Sequence, residues 1–261
     1  MKIAIFDSGI GGLSVLHLAL KKLPKENFIY FADKKNVPYG TKTTEEIIDL
    51  VDEAINFILT QNVKAIVIAC NTATSAAIQI MREKFKIPII GMEPAVKKAV
   101  NFHENKRILC MATPITVKGK KLKDLIERVD TEHVIDLIPL PELVSFAESE
   151  IFDKKIITDY LNDKFKNFNL DDYSSVVIGC THFNYFKDSL AEIFKNKIHF
   201  FDGNDGTINR LIYELESRKL LDNNNYSSVE FYYSGEKVKE KSELEKLNRY
   251  LKRLDKMLNI K

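Results

Sequence analysis

The chain is 261 residues long, 45% hydrophobic and 29% charged, and its 39 basic and 37 acidic side chains leave a formal charge of +2. At roughly 150 residues per domain, that length points to about two domains, each able to bury a core without disulfides or metals. The apolar fraction excludes a disordered chain, and the balanced charge argues against nucleic acid as a partner.

Residues 2–6 read as a strand, reached without the apolar stretch or small-residue cleavage site of a signal peptide. A helix over about 11–22 places Leu13, Leu16 and Leu20 on one face, and a strand follows at 28–31. Residues 44–61 form a long helix. Ile47, Ile48, Val51, Ala54, Ile55 and Ile58 fall at helical spacing, and Thr43 or Thr44 can cap it. The β-branched run at 63–69, apolar except for Lys64, fits a strand covered on both faces. The longest purely apolar run of the chain is the six residues 65–70, against the ~20 that a membrane helix needs, so no membrane partner is expected. A helix at 71–85 and a strand at 87–90 complete a strand–helix rhythm that predicts a parallel sheet with helices on both faces. The tail, 238–261, carries Leu244, Leu247, Leu251, Leu254 and Leu258 at helical spacing and reads as a packed surface helix with a solvated face.

An internal repeat is the most informative feature. Ile66-Val67-Ile68-Ala69-Cys70-Asn71-Thr72 resembles Val176-Val177-Ile178-Gly179-Cys180-Thr181-His182 at an offset of 110. Lys86-Ile87-Pro88-Ile89-Ile90 resembles Lys197-Ile198-His199-Phe200-Phe201 at 111, and Ile3-Ala4-Ile5-Phe6-Asp7-Ser8 aligns with Ile108-Leu109-Cys110-Met111-Ala112-Thr113 at 105. Three landmarks in one order at nearly one offset imply two similar α/β lobes.

Each lobe thereby sets a cysteine at the carboxyl end of a core strand, just before a helix, where open α/β sheets bind ligands. A helix N-terminus there attracts carboxylates and lowers a thiol pKa. Cys70 and Cys180 are followed at once by Asn71-Thr72 and Thr181-His182, small polar groups that suit a ligand better than a core. Cys110 lies inside its strand and reads as a core residue. Inverting a carbon acid needs a base on one face and an acid on the other, with matched pKa values, and opposed thiols meet that demand. A zinc site or a redox dithiol are the competing uses, but no Cys-x-x-Cys or His-x-x-x-His spacing accompanies the thiols. Three cysteines cannot all pair, and a reducing, cytoplasmic setting is expected. His17, His103, His133 and His199 read as structural. Gly9-Ile10-Gly11-Gly12 lacks the third glycine of a dinucleotide fingerprint, Ser14 standing there, and is expected to let backbone N–H groups approach an anionic substrate.

Asp7-Ser8-Gly9-Ile10-Gly11-Gly12-Leu13, Val37-Pro38-Tyr39-Gly40, Ala69-Cys70-Asn71-Thr72-Ala73-Thr74 and Gly179-Cys180-Thr181-His182-Phe183 resemble, in order and over residues 3–203, the motif series of the glutamate racemase family. The resemblance implies D-glutamate production for the bacterial cell wall, with glutamate as substrate and no cofactor or metal. It implies that Cys70 and Cys180 are the acid/base thiols, the first serving the D enantiomer and the second the L enantiomer. It also assigns Asp7, Glu148 and His182 to the catalytic set. Ser8, Tyr39, Gly40, Asn71, Thr72, Thr116 and Thr181, with Asp7 and His182, are the implied substrate contacts, acting through hydroxyl, amide and backbone donors. The chain departs from the family at Asn184, where proline is common, at Gly119 and Leu122, where serine and tyrosine are common, and in the residues around Glu148.

The expected architecture is α/β, with two pseudo-symmetric lobes, each a mostly parallel sheet flanked by helices, and an active site in the cleft between them. Residues 1–95 with 205–261 are expected to form the first lobe and 96–204 the second. A homodimer is expected. The alternatives are another cofactor-free racemase or isomerase, for instance of aspartate, and a non-catalytic small-acid binding protein. Paired strand-end thiols and the lack of a secretion signal disfavour the last.

Overall fold

The computed structural model of the chain describes residues 1–102 and 104–260, so the structural reading of His103 lies outside the described residues. The first sheet begins with β1 (Lys2–Asp7), α1 (Leu13–Lys22), β2 (Asn27–Ala32), α2 (Thr44–Leu59), β3 (Val63–Ile68), α3 (Asn71–Lys84) and β4 (Ile89–Gly91). The second sheet is built within α4 (Val96–Phe102), β5 (Arg107–Ala112), α5 (Pro114–Lys118), α6 (Lys120–Val129), β6 (Ile135–Pro139), α7 (Glu142–Glu148), α8 (Lys154–Phe165), β7 (Tyr173–Ile178), a 3-10 turn (Thr181–Phe186), α9 (Lys187–Ile193) and β8 (His199–Asp202). The chain then returns through α10 (Asn204–Ser217), β9 (Ser228–Tyr233), β10 (Glu236–Lys237) and α11 (Lys241–Met257). The strand orders are β10-β9-β2-β1-β3-β4 and β6-β5-β7-β8, parallel throughout except for β10.

The four-strand unit β2-β1-β3-β4 has the same spatial order as β6-β5-β7-β8. The registers agree as well. Ile3 pairs with Ala65 and Ile108 with Ser175, each just after a register shift, while Ile66 pairs with Ile89 and Val176 with Phe200. These are the residues that the repeat offsets relate, so the duplicated segments occupy equivalent strands.

Local sequence explains the elements. Every residue of β3 and of β7 is buried, and both end in apolar runs, residues 65–68 and 176–178; the buried Lys64 of β3 pairs with Glu26 at 2.6 Å. Thr43 caps α2 in a capping box: Glu46 N–H donates to Thr43 Oγ1 at 3.2 Å and Thr43 N–H to Glu46 Oε2 at 2.7 Å. Leu13 and Leu16 of α1, with Ile208 and Leu211 of α10, pack on one face of the first sheet. Ile47, Val51 and Ile55 of α2, with Ala77 and Ile78 of α3, pack on the other. Each of the Leu, Ile and Val side chains among these contributes about 1.5–3 kcal/mol by its burial.

The tail helix does more than cover a surface. Leu247 and Leu254 of α11 are buried, while Leu244 and Leu258 at its ends are exposed. α11 also reaches the second lobe: Tyr250 Oη donates to Ala147 O at 2.8 Å, and Arg253 donates to Tyr185 O at 2.9 Å and pairs with Asp188 at 3.0 Å. His17 on α1 meets Asp255 at 2.8 Å, which gives that histidine a structural partner. One continuous apolar cluster, including Ile10, Leu140, Leu143, Tyr185, Leu247 and Tyr250, therefore joins the two lobes. No described helix is long and apolar enough to cross a membrane.

Candidate active site

Both thiols emerge at equivalent points. Ala69 N–H extends the β1–β3 ladder to Phe6 O at 2.7 Å, and Gly179 N–H extends the β5–β7 ladder to Met111 O at 2.7 Å. The next residue in each case is the cysteine, at the carboxyl end of its strand. Cys70 and Cys180 line one cavity of about 300 Å³. Ser8, Tyr39, Gly40, Asn71 and Thr72 reach it from the first lobe, and Thr181 and His182 from the second. Asp7 and Glu148 are held behind this lining, and Thr116 also lies outside it. Thr116 Oγ1 is 3.0 Å from Thr113 Oγ1 and 3.3 Å from Thr72 Oγ1, so it supports two residues that do line the cavity.

The surroundings of the two thiols differ. Cys70 caps α3, accepting from Ala73 N–H at 3.4 Å, with Ser8 Oγ 3.6 Å away. These contacts favour a thiolate, but burial outweighs them, and with the nearby Asp7 charge it pushes the Cys70 pKa up to about 12. The expected lowering by the helix start is thus overridden, and the resting group at Cys70 is a thiol. Cys180 Sγ lies 3.8 Å from His182 Nδ1, and His182 Nε2 lies 2.7 Å from Glu148 Oε1. Burial opposes an imidazolium at His182, yet its contacts with Cys180 and Glu148 raise its pKa well above the usual histidine value. Burial also works against the Glu148 carboxylate, and His182 together with Ile10 N–H overcomes it and lowers that pKa. Buried Cys110 lies inside β5, and burial pushes its thiol up to about 12.

Asp7 is fully buried, accepting from Gly9 N–H at 2.9 Å and Thr181 Oγ1 at 3.1 Å. Burial lifts its pKa to about 6 against an ordinary 3.8, with the His182 charge and the two hydrogen bonds opposing. A folded-state value above the unfolded one stabilises the fold below pH 3.8, and that stability is lost as the pH rises through about 6. The difference corresponds to about 3 kcal/mol spent on an ionised Asp7 at neutral pH. Asp7→Asn should therefore stabilise the fold at pH 7.5 by about 1–3 kcal/mol, the gain fading through pH 6 and vanishing below about 4. Denaturant unfolding across that range checks this. A variant less stable at pH 7.5, or a gain that persists at pH 4, would contradict the assignment.

Three expectations change with the geometry. The loop glycines make room for the other lobe: a methyl at Gly9 would overlap Glu148 Oε1, and one at Gly11 would lie 2.5 Å from His182 Nδ1. Two loop amides already serve protein carboxylates, Gly9 N–H on Asp7 and Ile10 N–H on Glu148. The Tyr39 hydroxyl donates to Asp33 Oδ2 at 2.7 Å, and that of Thr181 to Asp7, so those hydroxyls are turned away from a substrate. At the departures from the family pattern, Asn184 Nδ2 donates to Thr181 O at 3.2 Å and closes the turn where proline is common. Leu122 is buried, and Gly119 joins α5 to α6. Thr113, which lines the cavity, was missed by motif reading; the repeat alignment pairs it with Ser8 and could have found it. Glu142 and Ser145 also line the cavity, and Glu142 is paired with Tyr160 and Lys164. The described residues hold no cluster of side chains arranged for a metal.

A profile of the Asp/Glu/hydantoin racemase family matches residues 14–211. The chain is 56% identical, over 100% of both chains, to a glutamate racemase from Campylobacter curvus (strain 525.92). Its fold superposes with a TM-score of 0.84 on a glutamate racemase isoform from Bacillus anthracis, 25% identical, over 96% of this chain and 94% of the other. It superposes at 0.82 on the Escherichia coli glutamate racemase solved with L-glutamate and the activator UDP-MurNAc-ala, 26% identical, over 97% and 95% of the two chains.

Proposed function

The chain belongs to the Asp/Glu/hydantoin racemase family, and from that premise we propose that it interconverts L- and D-glutamate with two thiols, supplying D-glutamate for peptidoglycan. The supporting observation is that Cys70 and Cys180 open from two lobes into one cavity, with the buried Asp7 carboxylate near Cys70 and the partly buried Glu148 linked to Cys180 through His182. In this reading the Cys180 thiolate takes the Cα proton of L-glutamate, and the Cys70 thiol returns a proton to the opposite face. The products are D-glutamate, a Cys70 thiolate and a Cys180 thiol, and the reverse direction exchanges the roles. His182 stabilises charge at Cys180 and is itself held by Glu148; Asp7 serves the Cys70 side.

The substrate is held mostly by neutral donors. Ser8, Thr72 and Thr113 line the cavity together with Asn71 at the start of α3, and their hydroxyls and the N–H groups of that helix start suit the two carboxylates. The Asn71 Oδ1 atom is buried without a hydrogen-bond partner, and a substrate ammonium would supply one. An ammonium beside Cys70 also offsets the burial that disfavours its thiolate. Donors fixed before the reaction stabilise the Cα carbanion as it forms.

The proposal includes a division at 1–95 with 205–261 and 96–204, supported by α4 packing on the second sheet and α10 on the first. It includes a homodimer, and a cytoplasmic location that the cysteine usage supports. The test is to incubate chelator-dialysed protein with each enantiomer of glutamate and aspartate and follow circular dichroism. Either glutamate enantiomer should decay to the racemate at the undialysed rate. Activity restored only by pyridoxal phosphate or a metal, or a preference for aspartate, would overturn it.

A further inference from the structure

Glu148 is the last residue of α7, and the tail helix holds its backbone. The turn after α7 closes as a Schellman motif. Glu150 has a left-handed φ of 53°, its N–H donates to Ala147 O at 3.1 Å, and Ile151 N–H donates to Phe146 O at 2.8 Å. Those bonds serve the carbonyls of Phe146 and Ala147. The Glu148 carbonyl, one of the last four of the helix, has no backbone partner among the described residues. Tyr250 of α11 reaches it: its hydroxyl donates to Ala147 O at 2.8 Å and to Glu148 O at 3.2 Å. Those two carbonyls belong to the peptide groups on either side of the Glu148 Cα, so one hydroxyl restrains the point where the carboxylate is attached. Tyr250 is itself fixed. It is buried, its ring packs against Phe152 and Tyr185, and burial raises its phenol pKa, so the hydroxyl stays a protonated donor. Further along, α11 is pinned to α1 by Asp255, which accepts from Lys21 at 3.0 Å and meets His17 at 2.8 Å.

The carboxylate placed in this way meets His182 Nε2 at 2.7 Å, and the other ring nitrogen lies 3.8 Å from Cys180 Sγ. We propose that Tyr250 is a positioning residue: by holding both peptide groups of Glu148 it sets the Glu148–His182 contact and, through it, how His182 serves Cys180. The polar contacts of Cys70, with Ser8 and Ala73 N–H, lie outside this chain of contacts. The catalytic part of this inference rests on the two-thiol reading above; the positioning part does not.

Tyr250→Phe keeps the ring packing and removes only the hydroxyl. The first readout is the titration of His182, followed by NMR in the substrate-free protein. Contacts with Cys180 and Glu148 favour its imidazolium against burial, and the Asp7 charge also acts on it. Loosening Glu148 removes one of those contacts, so the midpoint should fall below that of the wild type. The second readout is elimination. Loss of HCl from a glutamate carrying chlorine at Cβ needs Cα–H abstraction by one thiolate only. Tyr250→Phe should slow it about tenfold for the L-configured 3-chloroglutamate, with the D-configured compound within about twofold of wild type. A merely structural loss would lower both reactions together and leave the His182 midpoint in place. A third check needs no variant: in the wild type the Tyr250 hydroxyl proton should exchange slowly enough to give its own resonance, with a cross-peak to Glu148. An unchanged His182 midpoint, equal losses on both enantiomers, no loss on either, or a freely exchanging hydroxyl proton would overturn the proposal. If Tyr250→Phe does not fold, the hydroxyl proton of the wild type decides the positioning. If the wild type does not racemise glutamate, the functional reading fails, while the His182 titration and the hydroxyl proton still decide the positioning.

Discussion

Cys70→Ser and Cys180→Ser should each abolish racemisation of both enantiomers, a loss of about 10²–10⁴-fold or more, while each leaves one elimination reaction standing. Every inversion needs a group on both faces, so losing either thiol stops turnover from either side. Elimination of HCl from 3-chloroglutamate has a smaller demand. One thiolate takes the Cα proton, chloride leaves with the bonding pair, and the enamine hydrolyses to 2-oxoglutarate and ammonium. Cys70→Ser should retain elimination from the L compound, because Cys180 and its His182–Glu148 support are intact. Cys180→Ser should retain it from the D compound. Cys110→Ser is the control: it lies inside β5, remote from the cavity lining, and should racemise normally with some loss of stability from placing a hydroxyl in an apolar strand. Matched losses on both enantiomers in both active-site variants would reject the two-face assignment.

Gly11→Ala should be nearly as damaging, although glycine has no chemistry to lose. A methyl there would overlap Thr181 Oγ1 and lie 2.5 Å from His182 Nδ1 and 2.7 Å from the His182 backbone nitrogen. Backbone cannot rotate aside, so the 3-10 turn or the whole second lobe must shift. His182 Nδ1 is the atom that faces Cys180, and a displacement near 1 Å costs about 10²-fold in rate. The overpacking should also destabilise the fold by about 1–3 kcal/mol. Gly206→Ala provides the contrast. It sits in α10 with nothing within 4 Å of an added methyl, and should gain about 0.5–1 kcal/mol with unchanged activity. Rate and unfolding measurements on the two variants check the pair; a fully active Gly11→Ala would show that the lobes are not packed this closely in solution.

Much of this protein is written locally. Helical spacing at Ile47, Val51 and Ile55 places α2, and the apolar runs 65–68 of β3 and 176–178 of β7 fit strands buried on both faces. The repeat goes further, because the same residues in the same order must pair in the same way; it relates the registers of both sheets and the matched strand-end positions of Cys70 and Cys180. Burial of the tail helix was legible in its leucines, but its docking on the second lobe through Tyr250 and Arg253 was not.

Sequence by itself thus determined the α/β class, the duplication and the pair of strand-end thiols, because periodicity and repetition report contacts within an element and between equivalent elements. Only the tertiary structure decided which carboxylate serves which thiol and what the loop glycines are for. The repeat has no answer there: the counterpart of Asp7 in the second lobe is Ala112, and the second carboxylate comes from Glu148 at the end of α7. It meets Ile10 across 138 residues of sequence. Such a contact depends on how two separately folded surfaces approach each other, and neither side carries a local pattern that announces the other. The Cys70 pKa follows the same logic, since the helix start that would lower it is visible in sequence, while the burial that raises it exists only in the folded chain.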